Sequence, residues 1–279
     1  MKTEDFELLS DMLRDRSGLV LSKDKVYLLE SRLTPLARQR GLESLDDLVK
    51  ELRTRRDEKL MHDVTEAMTT NESFFFRDNT PFNLFRDTVL PELLKSNAAT
   101  RKIRIWCAAA STGQEPYSLA MILSEAKAAL RDWRVEILAT DLSQQVLEKA
   151  KAGVYSQFEV QRGLPIQMLV KYFKEEGEMW RIDAALRAMV QFRTFNLLDD
   201  FRSLGQFDVI YCRNVLIYFD QKTKGEVLDR MSSVLSSQGS LFLGAAETVL
   251  GICDRLKPVP GHRGLYRPSE PPARQAASA

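Results

Sequence analysis

From Lys102 onward the chain alternates short β-rich runs with amphipathic helical ones, and this alternation constrains its fold more than any other feature. Lys102–Cys107 (KIRIWC) reads as a strand, followed by small residues and a helical run over Pro116–Leu130. Arg134–Thr140 (RVEILAT) reads as a second strand, before a helix from Ser143 to about Ala152. Met189–Phe195, Phe207–Cys212 and Ser240–Ala245 are three further strands. Gln221–Ser236 carries Val227, Leu228, Met231, Val234 and Leu235 on one helical face, with Gly239 as its stop. Strand–helix alternation of this kind predicts an α/β fold built on a parallel sheet covered on both faces.

The residues before this region read differently. Phe6, Leu9, Met12 and Leu13 share one helical face. Ser22 is placed to cap a second helix bearing Val26, Leu29, Leu33 and Leu36, with Pro35 expected to kink or end it. Ser44-Leu-Asp-Asp47 is a capping signature for a third helix, and Met61, Val64, Thr65 and Met68 mark a fourth. The organisation expected is therefore a helical domain over 1–70, a connecting segment over 71–100 and an α/β domain over 101–267. Within the last, residues of about 171–195, with Tyr172-Phe173, Gly177 and Trp180-Arg181-Ile182, read as a small inserted hairpin. The stretch 268–279 (PSEPPARQAASA) is Pro/Ala/Ser-rich and is expected to be disordered. At about 150 residues per domain, the length of 279 agrees with two folded units.

Composition removes several functions. The 40 Lys+Arg against 39 Asp+Glu give a net charge of +1, which argues against a strongly basic nucleic-acid binder. No apolar run approaches the roughly 20 residues of a membrane span, and the acidic, interrupted N-terminus is not a secretory signal. Cys107, Cys212 and Cys253 are odd in number and lack CxxC spacing, which fits a reducing cytoplasm and excludes a disulfide framework. With only His62 and His262, a His-rich metal site is excluded.

The polar residues gather where strands end. In Trp106-Cys-Ala108-Ala-Ala110-Ser-Thr-Gly113-Gln-Glu115, small residues at 108, 110 and 113 follow the spacing of G-x-G-x-x-G and would let a ligand approach the backbone. The loop has no Lys, so it is not a phosphate-binding P-loop, and alanines resist positive φ. Glu115 has two readings, ligand contact or a capping box with Thr112. Asp141 closes the second strand, as an acceptor for a ribose diol or as a cap for the next helix. Arg213, Asn214 and Tyr218 follow the strand Phe207–Cys212, at the sheet edge where ligands bind in open α/β folds, or are surface and packing residues. In Thr69-Thr-Asn71-Glu-Ser73-Phe-Phe-Phe-Arg77 the phenylalanines suit an interdomain core, whereas Asn71, Ser73 and Arg77 are harder to explain as packing.

With these segments in view, the sequence resembles the chemotaxis protein methyltransferases. TTNESFFFR (69–77), RIWCAAASTGQEPYSLAM (104–121), ATDLS (139–143), FNLL (195–198) and FDVIYCRNVLIYFD (207–220) carry the resemblance, which runs to about Arg267. It implies a Rossmann-like class I methyltransferase sheet with an all-helical N-terminal domain and a small antiparallel β insertion. It implies methyl transfer from S-adenosylmethionine to chemoreceptor glutamates, with S-adenosylhomocysteine as product and no metal. By motif, Asn71, Ser73, Arg77, Ala108, Gly113, Glu115, Asp141, Asn196, Leu197, Arg213 and Asn214 would contact or enclose the cofactor. Arg77 and Tyr218 would serve the reaction centre. Gly244-Ala-Ala246-Glu247 departs from a Gly-x-Ser-Glu pattern, which puts any role of that hydroxyl in doubt. The partner implied is the cytoplasmic helical bundle of chemoreceptors, without nucleic acid or membrane insertion, and the enzyme is expected to be a cytoplasmic monomer. Arg32, Arg38 and Arg40, with Arg53, Arg55 and Arg56 further on, form the expected docking surface, the alternative being a solvated face. The hairpin loop Lys174–Trp180 is compact and carries Glu175, Glu176 and Glu178, so no receptor C-terminal tether is expected to be needed. A nicotinamide oxidoreductase, a nucleic-acid methyltransferase and a non-catalytic cofactor sensor are the competing readings. Each lacks a supporting motif or is opposed by the pairing of Arg77 with Tyr218.

Overall fold

The computed structural model describes residues 1–55 and 57–269. Four helices open the chain: α1 (Thr3–Ser17), α2 (Val26–Gln39), α3 (Leu45–Arg55) and α4 (Glu58–Ala67). Their apolar faces form a core of their own, with Phe6, Leu9 and Leu13 packed among Leu29, Leu33, Leu48, Leu60, Val64 and Met68. The Ser44 hydroxyl accepts the Asp47 N–H at 3.1 Å and donates to the Asp47 carboxylate at 2.7 Å, which starts α3. Two local expectations change. Ser22 caps no α-helix; it precedes a single 3-10 turn over Lys23–Lys25. Helix α2 runs through Pro35 without ending, because that residue lies on the exposed face, where water reaches the carbonyl a turn earlier.

The rest of the chain builds two sheets. The large one contains β1 (Lys102–Ala108), β2 (Arg134–Asp141), β6 (Val190–Thr194), β7 (Phe207–Cys212), β8 (Leu235–Leu243), β9 (Leu256–Pro258) and β10 (Leu265–Pro268). Their order is β6-β2-β1-β7-β8-β10-β9, parallel from β6 to β8 and antiparallel beyond. Buried side chains fill both faces: Ile103, Ile105, Cys107 and Tyr211 on one, Trp106, Ile210, Leu241 and Leu243 on the other. The small antiparallel sheet joins β3 (Val154–Ser156), β4 (Phe173–Glu176) and β5 (Met179–Ile182) in the order β3-β5-β4, with Gly177 at φ +64° in the hairpin. The insertion thus begins earlier than expected and excludes Val190–Thr194, which pair with β2 in the large sheet. The last long helix, Gln221–Val234, stops where Leu235 turns extended; Gly239 lies inside β8. Of the expected disordered tail, Pro268 closes β10, and residues 270–279 lie outside the described residues.

The helical unit seats on the edge where the parallel strands end. Glu66 on α4 accepts the Ser143 hydroxyl at 2.8 Å and the Gln145 N–H at 2.9 Å, at the start of the helix Gln144–Ala152. Asn196 donates to the Arg16 carbonyl at 2.6 Å, and the Val20 N–H donates to the Tyr218 carbonyl at 2.9 Å. At Gly18, φ is +76°, and a Cβ would sit 2.9 Å from the Phe219 ring, so this joint needs glycine twice over. Among the described residues, no helix is long and apolar enough to cross a membrane.

Candidate active site

The sheet order reverses direction at β1, with β2 on one side and β7 on the other, and a crevice opens beyond the strand ends at such a point. Here it is a cleft of about 1040 Å³, in part open to solvent, roofed by the helical unit and the segment 68–77. Asn71, Ser73, Arg77, Glu115, Asp141, Asn196, Leu197, Arg213, Asn214 and Tyr218 all line it. Ala108 and Gly113, also expected there, do not. Ala108 is buried within β1, and Gly113 packs tightly against Ala150, Tyr117 and Tyr155. Their neighbours Ala109 and Ser111 reach the cleft instead, at φ +63° and +50°. The expectation that this loop would avoid positive φ therefore fails. Left-handed backbone costs roughly 1–2 kcal/mol per residue, and the bonds from Ala110 N–H to the Thr140 carbonyl and from Ser111 N–H to Asp141, both 2.8 Å, hold the turn against it.

Asp141 is a junction. One carboxylate oxygen accepts from Ser111 N–H, the other from Ser143 N–H at 3.0 Å. The cap of the next helix is Ser143, so Asp141 does not serve as one. The backbone N–H of Leu142 also acts on this carboxylate, whose two oxygens have about four acceptor sites between them. Burial raises the Asp141 pKa above the ordinary range, against the lowering pull of these N–H bonds. Glu115 is likewise no cap: Gly113 occupies that position, and the Thr112 hydroxyl donates to Gln114. Its carboxylate accepts from Arg213 at 3.1 Å. Burial raises the Glu115 pKa, and Arg213 opposes the rise.

Arg213 is not a surface residue: its side chain is 2% exposed. Besides Glu115, it donates to Asp78 at 2.6 Å and to the Arg77 carbonyl at 2.9 Å. It thereby ties the end of β7 to the segment carrying Arg77. That segment is strained, with Phe76, Asp78 and Asn79 at φ +51°, +70° and +47°. The Phe76 N–H is held by the Ser118 hydroxyl at 3.0 Å, so Arg77 sits between two anchors. Its guanidinium donates to the Glu72 carbonyl at 3.0 Å. On the opposite wall, Phe195, Leu197 and Leu142 supply apolar surface beside Asn196. Tyr218 sits half-buried in a 3-10 turn over Leu216–Tyr218.

The expected docking arginines differ in their surroundings. Arg32 donates to the carbonyls of Met68 and Thr69 at 2.7 and 2.9 Å, bracing the roof from within. Arg40 pairs with Asp63 at 2.6 Å and Asp57 at 3.3 Å. Arg53 pairs with Asp5, and Arg55 with Glu51; Arg56 lies outside the described residues. Arg38 is exposed. Sequence reasoning missed Ser111 and Asp78, and it gave no role to Glu247. The last accepts backbone N–H groups of the loop holding Asn214, and its only sequence signal is Gly244-x-x-Glu247 just past a strand. Among the described residues, no cluster of three or more His, Cys, Asp or Glu could hold a metal ion.

The carboxylates Asp141 and Glu115, the amide of Asn196 and the adjoining apolar wall suit a ligand with a diol, a cationic end and a flat heteroaromatic ring. Comparison with known proteins agrees. Residues 71–265 match the family described as "CheR methyltransferase, SAM binding domain", and residues 4–69 match "CheR methyltransferase, all-alpha domain". Chemotaxis protein methyltransferase 1 of Pseudomonas aeruginosa is 45% identical over 94% of this chain and 97% of its own length. Chemotaxis protein methyltransferase Cher2 of Pseudomonas putida is 41% identical, over 94% and 96%. A chemotaxis protein methyltransferase of Vibrio parahaemolyticus is 40% identical, over 94% and 95%. With both of its parts matched in order and the S-adenosylmethionine-binding part carrying the cleft, the chain belongs to the chemotaxis protein methyltransferase family.

Proposed function

We propose that this protein methylates glutamate side chains of chemoreceptors, forming methyl esters, with S-adenosylmethionine as donor and no metal. One observation carries the reading: a single cleft gathers the buried acceptors Glu115 and Asp141 with Arg77 and Tyr218. The cofactor supplies an electrophilic methyl on a sulfonium and departs as the neutral thioether of S-adenosylhomocysteine. Asp141 holds the ribose hydroxyls, and Glu115 faces the cationic end. Asn196 and the wall of Phe195, Leu197 and Leu142 enclose the base. Arg77 orients a carboxylate at the cleft mouth, and Tyr218 aligns the attacking oxygen. A glutamate, with a reference pKa near 4.3, is already ionised at neutral pH, so no strong general base is required. Two opposite charges merge into neutral products, a step that a water-poor site favours. The test is radiolabelled transfer to receptor-enriched membranes followed by mild base. Methanol release is expected, whereas base-stable label would identify N-methylation and sink the proposal.

The buried carboxylates give a pH dependence. Their folded pKa values are raised above the unfolded ones. The protein without cofactor therefore loses stability as pH rises through the window between those values, and the loss is complete above it. Cofactor binding runs the other way, since its cationic and hydroxyl groups need ionised acceptors. S-adenosylhomocysteine affinity is therefore expected to fall on acidification, at higher pH than unshifted carboxylates would give. Calorimetry across pH checks this; affinity that does not fall on acidification would contradict it. Asp141→Asn should lose part of the dependence.

The substrate is the cytoplasmic helical bundle of the receptor, approached by a monomer through the helical domain, and the structure leaves Arg38 as the clean probe of that face. Arg38→Glu is expected to slow methylation at low salt and leave cofactor affinity unchanged. Arg40→Glu is no equivalent, because it would set a third carboxylate against Asp57 and Asp63 and destabilise the domain. Normal methylation by Arg38→Glu at low salt would reject this face. No C-terminal receptor tether is needed: the edge strand β4 exposes Glu175 and Glu176, which oppose an acidic peptide. Saturable micromolar binding of receptor C-terminal pentapeptides, abolished by altering the hairpin, would overturn that.

A further inference from the structure

The corner after β8, Gly244-Ala-Ala-Glu247, folds back on the loop that leaves β7. One oxygen of Glu247 accepts the N–H groups of Asn214 at 2.8 Å and Gly244 at 2.6 Å. The other accepts those of Val215 at 3.0 Å and Leu216 at 2.7 Å. Three consecutive N–H groups of one loop thus converge on one buried carboxylate, which fills the anion-binding nest they form. Asn214, at φ +59°, is bent into that arrangement. The corner itself is pinned by Glu247 N–H to the Gly244 carbonyl at 3.0 Å.

Gly244 is required by space and not by backbone conformation. A Cβ there would lie 2.7 Å from the Glu247 carboxylate and 2.9 Å from both nitrogens of Asn214. The glycine lets the carboxylate and the loop close on each other.

We infer that Gly244 and Glu247 are positioning residues for methyl transfer, setting Asn214 and Tyr218 in the cleft by clamping the N–H groups of 214–216. The inference rests on the methyltransferase reading of the cleft. The hydrogen bonds of the clamp go to the loop that carries Asn214 and Tyr218; Glu115 lies in the first turn of the helix Gln114–Glu125, Asp141 ends β2 and Asn196 follows β6, and only the charge of Glu247 reaches Glu115. Loss of the clamp should therefore disturb alignment more than cofactor retention.

Two variants test it. Glu247→Gln keeps the shape but turns an NH₂ toward two N–H donors. Gly244→Ala keeps the charge and forces the corner off the loop. In both, amide hydrogen exchange at 214–216 is expected to quicken at least about tenfold, with the strands β1 and β2 unchanged. kcat for receptor methylation is expected to fall roughly ten- to a hundredfold, because small misplacements of reacting groups cost that much. S-adenosylhomocysteine affinity should stay within about threefold, since most of its contacts lie elsewhere. A merely structural role would lower thermal stability and leave kcat of the folded protein intact. Unchanged exchange at 214–216, kcat within twofold of the parent, or affinity falling in step with kcat would each overturn the inference. Should Glu247→Gln not fold, Gly244→Ala decides alone. Should the parent protein methylate no receptor, the functional reading fails, and exchange at 214–216 still decides the clamp.

Discussion

Replacing Arg213 with leucine is expected to destabilise the protein by about 3 kcal/mol and to weaken S-adenosylhomocysteine binding by at least about tenfold. The arginine is all but inaccessible, and its partners differ in exposure: the Glu115 side chain is 12% exposed, that of Asp78 41%. The Asp78 arm is half in water and contributes little on its own. The Glu115 arm is the costly one, because removing the guanidinium leaves a buried carboxylate with its main counter-charge gone. Burial already raises its pKa, and Arg213, ahead of Arg77, opposes the rise. Losing the guanidinium removes both this compensation and the tie that shapes the cleft wall, so stability and affinity are expected to fall together. A further loss comes from the backbone. Arg213 also holds the Arg77 carbonyl, and without it the left-handed run at Phe76, Asp78 and Asn79 has one anchor fewer against its strain. Thermal unfolding and calorimetry on Arg213→Leu, with Arg213→Lys alongside, check this. Lysine restores the charge but not the fork that reaches two partners, so it should recover stability only in part. Parent-like melting and affinity in the leucine variant would mean that Glu115 finds its stability elsewhere.

The residues of this network also mark where a sequence stops being legible. The β/α alternation and the four helical faces were readable because they are periodic over many residues, and one misplaced residue does not erase them. Thr112-x-x-Glu115 was ambiguous because a capping box and a cleft carboxylate have the same spelling. Only the left-handed turn at Gly113, which moves the helix start past Thr112, separates them. The partners of the arginines on α2 were illegible for a different reason. The partners of Arg40 lie on α4 and at its cap, and those of Arg32 in the cleft roof, so a helix read alone looks solvated and positive. Glu247 was hidden more deeply, since its partners are backbone N–H groups, which every residue but proline has, and no side-chain pattern announces them. Ala109 and Ser111 adopt a conformation that local preference disfavours, because Asp141 and Thr140, on the neighbouring strand, hold it in place. Arg213 was readable as part of a motif, but its bonds to Asp78 and the Arg77 carbonyl were not, because they join segments far apart in sequence.

Tyr218→Phe is expected to lower turnover by roughly ten- to a hundredfold, the equivalent of losing one hydrogen bond to a charged group, about 1.5–3 kcal/mol. The substitution isolates the hydroxyl. The Tyr218 ring packs at the edge of the core that includes Phe219 and Leu216, and a phenylalanine ring keeps that packing. The main chain is held by the bond from Val20 N–H to the Tyr218 carbonyl, which the change does not touch. Cofactor affinity should therefore stay within about threefold, because the proposed cofactor contacts Asp141, Glu115 and Asn196 lie elsewhere in the cleft. The hydroxyl cannot act by neutralising the attacking carboxylate, since that would lower its nucleophilicity before the methyl moves. Under the proposed function its use would be directional: attack has to run in line with the departing thioether, and one fixed donor would narrow the angles a flexible glutamate explores. Arg77→Ala should behave differently and reduce both affinity and turnover, because Arg77 lines the cleft and also ties its roof to the Glu72 carbonyl. Steady-state methylation at saturating cofactor, paired with S-adenosylhomocysteine calorimetry, separates the two. A Tyr218→Phe enzyme within twofold of the parent would remove the alignment role, and one whose affinity falls as far as its turnover would make Tyr218 a cofactor-binding residue.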